Sequence, residues 1–367
     1  MTTKHRNCGL MVIVLVVALG LATMLRGADT LPQSLTDDAF WKLVSDFSED
    51  AGSFRFQFMS NEREFPSAIA ELKRTAKPGG VYLGVGPEQN FTYIAATQPK
   101  LAFIFDIRRE NMLEHLIYKA VFELSQDRND FVSRLFSRKA PTGLNDKTTV
   151  RALFQAYSMS PLDPQLLRLN LQAIRDHLMK DHRFPIAAGD QASIESIYRT
   201  ICEAGPYPAY AALMEATDDQ ARAYSYLATE ENFRLIQQMH KKNVIVPLVG
   251  DFAGTKAIRA VAKYLKDHGA TVAMFYTSNV EQYLFQQGDD WRRYYSNVAT
   301  LPVDTASTFL RSSHFSYDAT ARPRQFSGTN YVMLLCSIAD LVKSFNDGHI
   351  QSYDQVIRMS SAKSFLP

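Results

Sequence analysis

The segment from Val81 to Asp106 limits the fold of this chain more than any other. Val81-Tyr82-Leu83 is a short strand with apolar residues at consecutive positions, Gly84-Val85-Gly86-Pro87-Glu88-Gln89 a turn, and Asn90 to Thr97 a short helix. Leu101-Ala102-Phe103-Ile104-Phe105 is a second apolar strand, ending on Asp106. A strand apolar on both faces needs cover on both, as inside a parallel sheet flanked by helices. The helix expected next spaces Leu113, Leu116, Ile117, Ala120, Val121 and Leu124 along one buried face. The pattern returns at the strand Val244 to Val249, followed by the turn Gly250 to Gly254 and a helix burying Ala257, Ile258, Val261, Ala262 and Leu265. Gly269 closes that helix as its C′ residue. Thr271 to Tyr276 is a further strand, ending on the polar turn Thr277-Ser278-Asn279. The strands at Val81, Leu101, Val244 and Thr271 are expected to share one largely parallel sheet, which makes the fold α/β and Rossmann-like.

The remainder divides around this frame. Thr36-Asp37-Asp38 starts a helix through Phe47, and Pro66 to Ala76 forms another. Phe54, Phe56 and Phe58 alternate with polar residues as a short strand would. Residues 126–240 read as a mostly helical insertion or cap, interrupted by prolines from Pro141 to Pro208. A shorter strand is expected near Val298 to Leu301 and a helix around Tyr331 to Phe345. The expected divisions are a leader over 1–28, Rossmann-like parts over 35–125 and 241–315 separated by the insertion, and a C-terminal helical segment over 316–367.

Of the 40 basic residues, Lys4, Arg6 and Arg26 precede residue 29, where there is no acid, leaving 37 against 38 acids in the body. That balance gives no electrostatic footing for nucleic acid as a partner. Lys4, His5 and Arg6 precede an uncharged run from Gly9 to Leu25, which reads as a signal peptide or an uncleaved N-terminal membrane anchor. Either places the body outside the cytoplasm, secreted, periplasmic or anchored by one helix. Cys202 and Cys336 lie in apolar patterns and read as buried free thiols rather than a disulfide framework.

Four strand ends carry polar or glycine-rich turns, and ligands of open α/β sheets bind outside the carboxyl ends of the strands. The first supplies Gly84, Gly86, Glu88, Gln89 and Asn90; the second, Asp106 with Arg108 and Arg109; the third, Asp251; the fourth, Asn279 and Glu281. If the ends converge, Glu88, Asp106, Asp251 and Asn279 surround one cavity that holds an unknown small polar ligand, bordered by an arginine and by Asn61-Glu62. Gly250 to Lys256 lacks the G-K-[ST] order of a phosphate loop, and H-E-x-x-H, G-x-S-x-G and C-x-x-C are absent. His177 and Asp181, on one helical face in Asp176-His177 and Asp181-His182, find no third ligand in the sequence, so these residues read as surface charges and no metal is assigned.

Ser60-Asn61-Glu62, the run Val81 to Glu123, VPLVGDFAG (Val246 to Gly254) and FYTSNVEQYLF (Phe275 to Phe285) resemble an uncharacterised bacterial family over residues 35–315. The resemblance implies an envelope-associated protein with a fold like that of class I S-adenosylmethionine-dependent methyltransferases. Against the G-x-G-x-G pattern of those enzymes, Gly84 and Gly86 match, Glu88 replaces the third glycine, and Asp106 matches the ribose-binding acid. Two readings follow: a binding or structural protein without ordinary cofactor chemistry, or a methyltransferase or other enzyme with an altered glycine loop that uses S-adenosylmethionine. No catalytic residue is assigned.

Overall fold

The computed structural model describes residues 29–55, 58–75, 78–314 and 331–360. Its centre is a six-stranded sheet in the order β3-β2-β1-β4-β5-β6, formed by β1 (Val81–Val85), β2 (Leu101–Asp106), β3 (Ile245–Val249), β4 (Val272–Ser278), β5 (Thr308–His314) and β6 (Tyr331–Ser337). The first five are mutually parallel and β6 is an antiparallel edge. All residues of β1, β2 and β3 are buried, as their doubly apolar sequences require. The chain runs outward from β1 through β2 to β3, then returns to the other side of β1 with β4. The order therefore reverses between β1 and β4, where Rossmann-like sheets open their ligand crevice. This is a Rossmann-like, mostly parallel α/β sheet.

Helices α1 (Asp37–Phe47), α2 (Pro66–Thr75), α3 (Gln89–Thr97) and α4 (Arg109–Leu124) belong to the first half. Thr36 caps α1, its hydroxyl accepting from the Ala39 N–H. Helix α4 is buried continuously from Asn111 to Phe122, not along one face alone. It packs on β2 and β3 on one side and on the insertion on the other. That insertion consists of α5 (Arg128–Phe136), α6 (Val150–Tyr157), α7 (Pro164–Asp176), a π-helical turn (His177–Asp181), α8 (Ala188–Ala204), α9 (Ala209–Met214) and α10 (Glu230–Lys241). It is mostly helical, as expected. Then follow α11 (Ala257–Asp267), α12 (Val280–Leu284) and α13 (Asp290–Val298), and after β6, α14 (Ile338–Asn346) and α15 (Tyr353–Met359). Gly269 has the left-handed φ of +64° that a C′ residue needs.

Three expectations are corrected. Val298 ends helix α13, and the fifth strand lies later, over Thr308–His314. Tyr331 to Ser337 is a strand, because its apolar run meets the free edge of β5 and pairs with it from Thr308↔Ser337 to His314↔Tyr331. The C-terminal segment is therefore no separate helical unit; β6 completes the sheet. The strand expected around Phe54 falls partly outside the described residues, and Phe54 and Arg55 are irregular and exposed. The leader lies wholly outside them; no described helix is long and apolar enough to cross a membrane. Cys202 and Cys336 are buried and free.

Candidate functional site

The turn after β1 is closed by Asn90. Its amide donates to the carbonyls of Val85 (2.9 Å), Gly86 (3.1 Å) and Pro87 (2.7 Å), while its oxygen accepts from the Tyr82 hydroxyl (2.8 Å). A methyl group on Gly84 would run into the Asn90 oxygen and the Tyr82 ring, so this glycine permits close approach. Gly86 has φ +76°, which favours glycine for conformational reasons. His115 Nε2 donates to the Gly86 carbonyl at 2.9 Å, and burial lowers the pKa of its ring to about 4.

Behind this turn lies a layer of buried carboxyls. Glu88 has no exposed surface, and the Ser60 N–H donates to both of its oxygens, at 3.2 and 3.3 Å. Burial outweighs these bonds and raises its pKa to about 8. Glu114, from α4, is raised well above the usual carboxylate range by burial and by Glu88, with Arg108 opposing. Asp106 is engaged by Arg108: Oδ1 accepts from the Arg108 N–H and Nε, both at 2.9 Å, and Oδ2 from Nη2 at 2.8 Å. Several buried polar atoms of the layer make no hydrogen bond among the described residues. They are both ends of the Asn111 amide, Glu114 Oε1 and His115 Nδ1. The Gln89 amide and its neighbour, the Tyr93 hydroxyl, likewise make no hydrogen bond of good geometry. The insertion packs over α3 here, Tyr226 against Phe91 at 5.4 Å and its N–H donating to Thr92 Oγ1 at 3.3 Å.

A second group adjoins across Tyr93, whose ring lies 4.7 Å from that of Tyr276. Glu62 is buried and accepts from Tyr276 (2.7 Å), Ser312 (2.6 Å) and Ser278. Burial still raises its pKa against these three bonds. Ser278 has a left-handed φ of +50° at the point where the β4–β5 register slips, and its hydroxyl lies 3.5 Å from the Asn279 oxygen. Asn61 is exposed beside Tyr331.

The other residues named from the sequence go elsewhere. Asp251 follows β3, the strand paired with that of Asp106, and lies two strands from β1. Its carboxylate accepts from the Ala253 N–H (2.9 Å), and Glu49 takes its own N–H (3.0 Å). Arg109 pairs with Asp190 on α8 at 2.6 Å. Glu281 forms a fully buried pair with Arg311 at 2.6 Å and also accepts from Tyr295 (2.7 Å). The structure thus gathers Glu88, Gln89, Asn90, Asp106 and Arg108 around Gly84 and Gly86, with Glu62 and Asn279 next to them. Asp251, Arg109 and Glu281 have their own partners: the Ala253 N–H, Asp190 and Arg311. Asn111, Glu114 and His115 complete the layer and were missed. Their own i, i+3, i+4 spacing at the start of α4 marks a polar stripe beside the apolar one.

Two hollows, of about 240 and 200 Å³, lie away from this layer. One is at the opposite edge of the sheet, near Gly80 and Thr271; the other lies beside Arg128 in the insertion. The residues do not fit S-adenosylmethionine: Glu88 fills the third glycine position with a buried carboxyl, and both oxygens of Asp106 are held by Arg108.

Residues 57–364 match a single family over most of the chain. The chain belongs to the family described as Domain of unknown function (DUF7790). Comparison with curated proteins finds no match. Among solved structures, the rRNA methyltransferase aviRa from Streptomyces viridochromogenes is similar at 9% identity, with 80% of this chain and 90% of that one covered and a TM-score of 0.31.

Proposed function

We propose that this DUF7790 domain binds a small, uncharged polar molecule at the carboxyl edge of β1 and β2, outside the cytoplasm and without ordinary cofactor chemistry. The observation that carries the reading is the Asn111 amide. Among the described residues neither of its buried ends has a partner, and Glu114 Oε1, three residues along α4, has none either. A buried polar group without a partner costs about 1–3 kcal/mol, and such groups gather where a ligand supplies the missing bonds. Asn111 offers one donor pair and one acceptor, and Glu88, shifted toward its neutral form, adds a hydroxyl donor at neutral pH, with Glu114 shifted in the same direction. Arg108 is held by Asp106, so the layer favours an uncharged polyol or amide over an anion. The basic start and apolar run of the leader support export.

The binding test is thermal unfolding of the purified chain against a panel of polyols, amides, nucleosides and S-adenosylmethionine. A polyol or amide at 100 times its Kd should stabilise by about 2.7 kcal/mol, and Asn111→Leu should abolish that shift. No shift with any compound, or a shift unchanged by Asn111→Leu, contradicts the reading. For location, a reporter fused after residue 40 should be active outside the cytoplasm; activity confined to the cytoplasm contradicts export.

A further inference from the structure

Glu123 lies in the last turn of helix α4, where the π-helical turn delivers two histidines. An α-helix would place positions 177 and 182 roughly 140° apart around its axis. The wider π turn, closed by the His182 N–H donating to the His177 carbonyl at 3.0 Å, brings them to the same side. Both Nε2 atoms converge on one oxygen, Glu123 Oε2, at 2.7 Å from His177 and 2.6 Å from His182. Each second ring nitrogen also meets a carboxylate: His177 Nδ1 with Asp181 at 2.8 Å, His182 Nδ1 with Asp37 at 2.7 Å.

This hydrogen-bond count does not close with neutral imidazoles. A neutral ring has one donor and one acceptor, yet all four ring nitrogens face carboxylate oxygens. A cation on the two Nε2 atoms resolves it. Each Nδ1–H then donates to its aspartate, the carboxylate–histidine–metal arrangement that fixes tautomer and ring orientation. The surroundings are built to the same end. Lys119 donates to Glu123 Oε1 (2.6 Å) and to Asn243 Oδ1 (2.5 Å), and the Asn243 amide donates to Asp37 (2.8 Å). Three carboxylates against one ammonium leave two negative charges, which a dication cancels.

We propose that Glu123, His177 and His182 bind a divalent transition cation of the zinc class, oriented by Asp37 and Asp181. Their ligand atoms lie within 4.8 Å of one another. Tetrahedral zinc separates such atoms by roughly 3.3 Å, so the two short contacts need open by less than an ångström. Three protein ligands leave a fourth position for water, and the histidine side chains are 16% and 13% exposed, so that position can reach solvent. The ion ties the insertion to α1 and α4 and does not depend on the strand-end layer.

The test is titration of the full chain, freed of metal by chelation, with zinc followed by calorimetry and with cobalt(II) followed by visible absorption. One zinc per chain with a micromolar or tighter Kd is expected, together with the intense visible bands of four-coordinate cobalt. His177→Gln with His182→Gln should remove the binding, and Asp181→Asn should weaken it 10–100-fold while leaving all three ligands in place. No binding below millimolar zinc, or binding unchanged in the double variant, overturns the site. Should the double variant not fold, the wild-type cobalt spectrum decides: weak six-coordinate bands, or none, overturn it.

Discussion

Glu281 and Glu88 are equally buried, with no exposed surface on either, yet their surroundings are opposites. Glu281 meets a cation: Arg311 reaches both of its oxygens, at 2.6 and 3.1 Å, and Tyr295 adds a third bond. Glu88 meets backbone N–H groups, its own and that of Ser60, and its neighbour Glu114 is a second carboxyl. The first arrangement is closed and locks α12 to β5. The second leaves hydrogen-bonding capacity unused inside the protein. Burial alone does not separate a structural carboxyl from a functional one; the partners do.

That contrast sets a graded series of outcomes. The largest effect belongs to the closed pair. Arg311→Met strands Glu281 as an uncompensated buried charge and should lower stability by about 3–5 kcal/mol in urea unfolding. A loss under 1 kcal/mol would mean that the pair is not closed.

The open layer should respond to pH instead. Glu88 titrates near 4.5 when unfolded and about 8 when folded, so between these values the native state holds the extra proton. Its contribution is complete below pH 4.5 and is lost as pH rises toward about 8, by about 1.4 kcal/mol per unit. Urea midpoints across that window should fall with pH in the wild type, less steeply in Glu88→Gln. Equal slopes would show that Glu88 is not the group responsible.

At pH 4, where the carboxyl is largely neutral in both the folded and the unfolded chain, the same Glu88→Gln replacement should itself change stability by no more than about 1 kcal/mol, because a neutral amide replaces a neutral acid of the same shape. A loss approaching that of Arg311→Met would erase the contrast between the two carboxyls.

The smallest effect is expected at Asn111. Asn111→Leu removes an amide without partners among the described residues and should leave stability unchanged or raise it by about 1 kcal/mol. Calorimetric unfolding checks this, and a loss above 2 kcal/mol would show that the amide is satisfied within the protein.

The sequence made the sheet legible wherever strands were apolar on both faces, as at Val81, Leu101, Val244 and Thr271. It misled at Tyr331 to Cys336, because a short apolar run suits a buried helix as well as a strand, and only the free edge of β5 decides. Glu88, Asp106 and Arg108 were legible because they flank glycine turns at strand ends. Asn111 and Glu114 were hidden by the apolar residues of α4 that drew the helical reading. The histidines at 177 and 182 lacked a third ligand because Glu123 lies 54 residues before His177, on an element whose position only the fold provides.

The most direct test of the strand-end account is a high-resolution crystal structure of the chain soaked with the polyol or amide that stabilises it most. The account predicts that molecule within hydrogen-bonding distance of both ends of the Asn111 amide and of Glu114 Oε1. Finding those atoms paired with other protein groups, or with water alone, would contradict it.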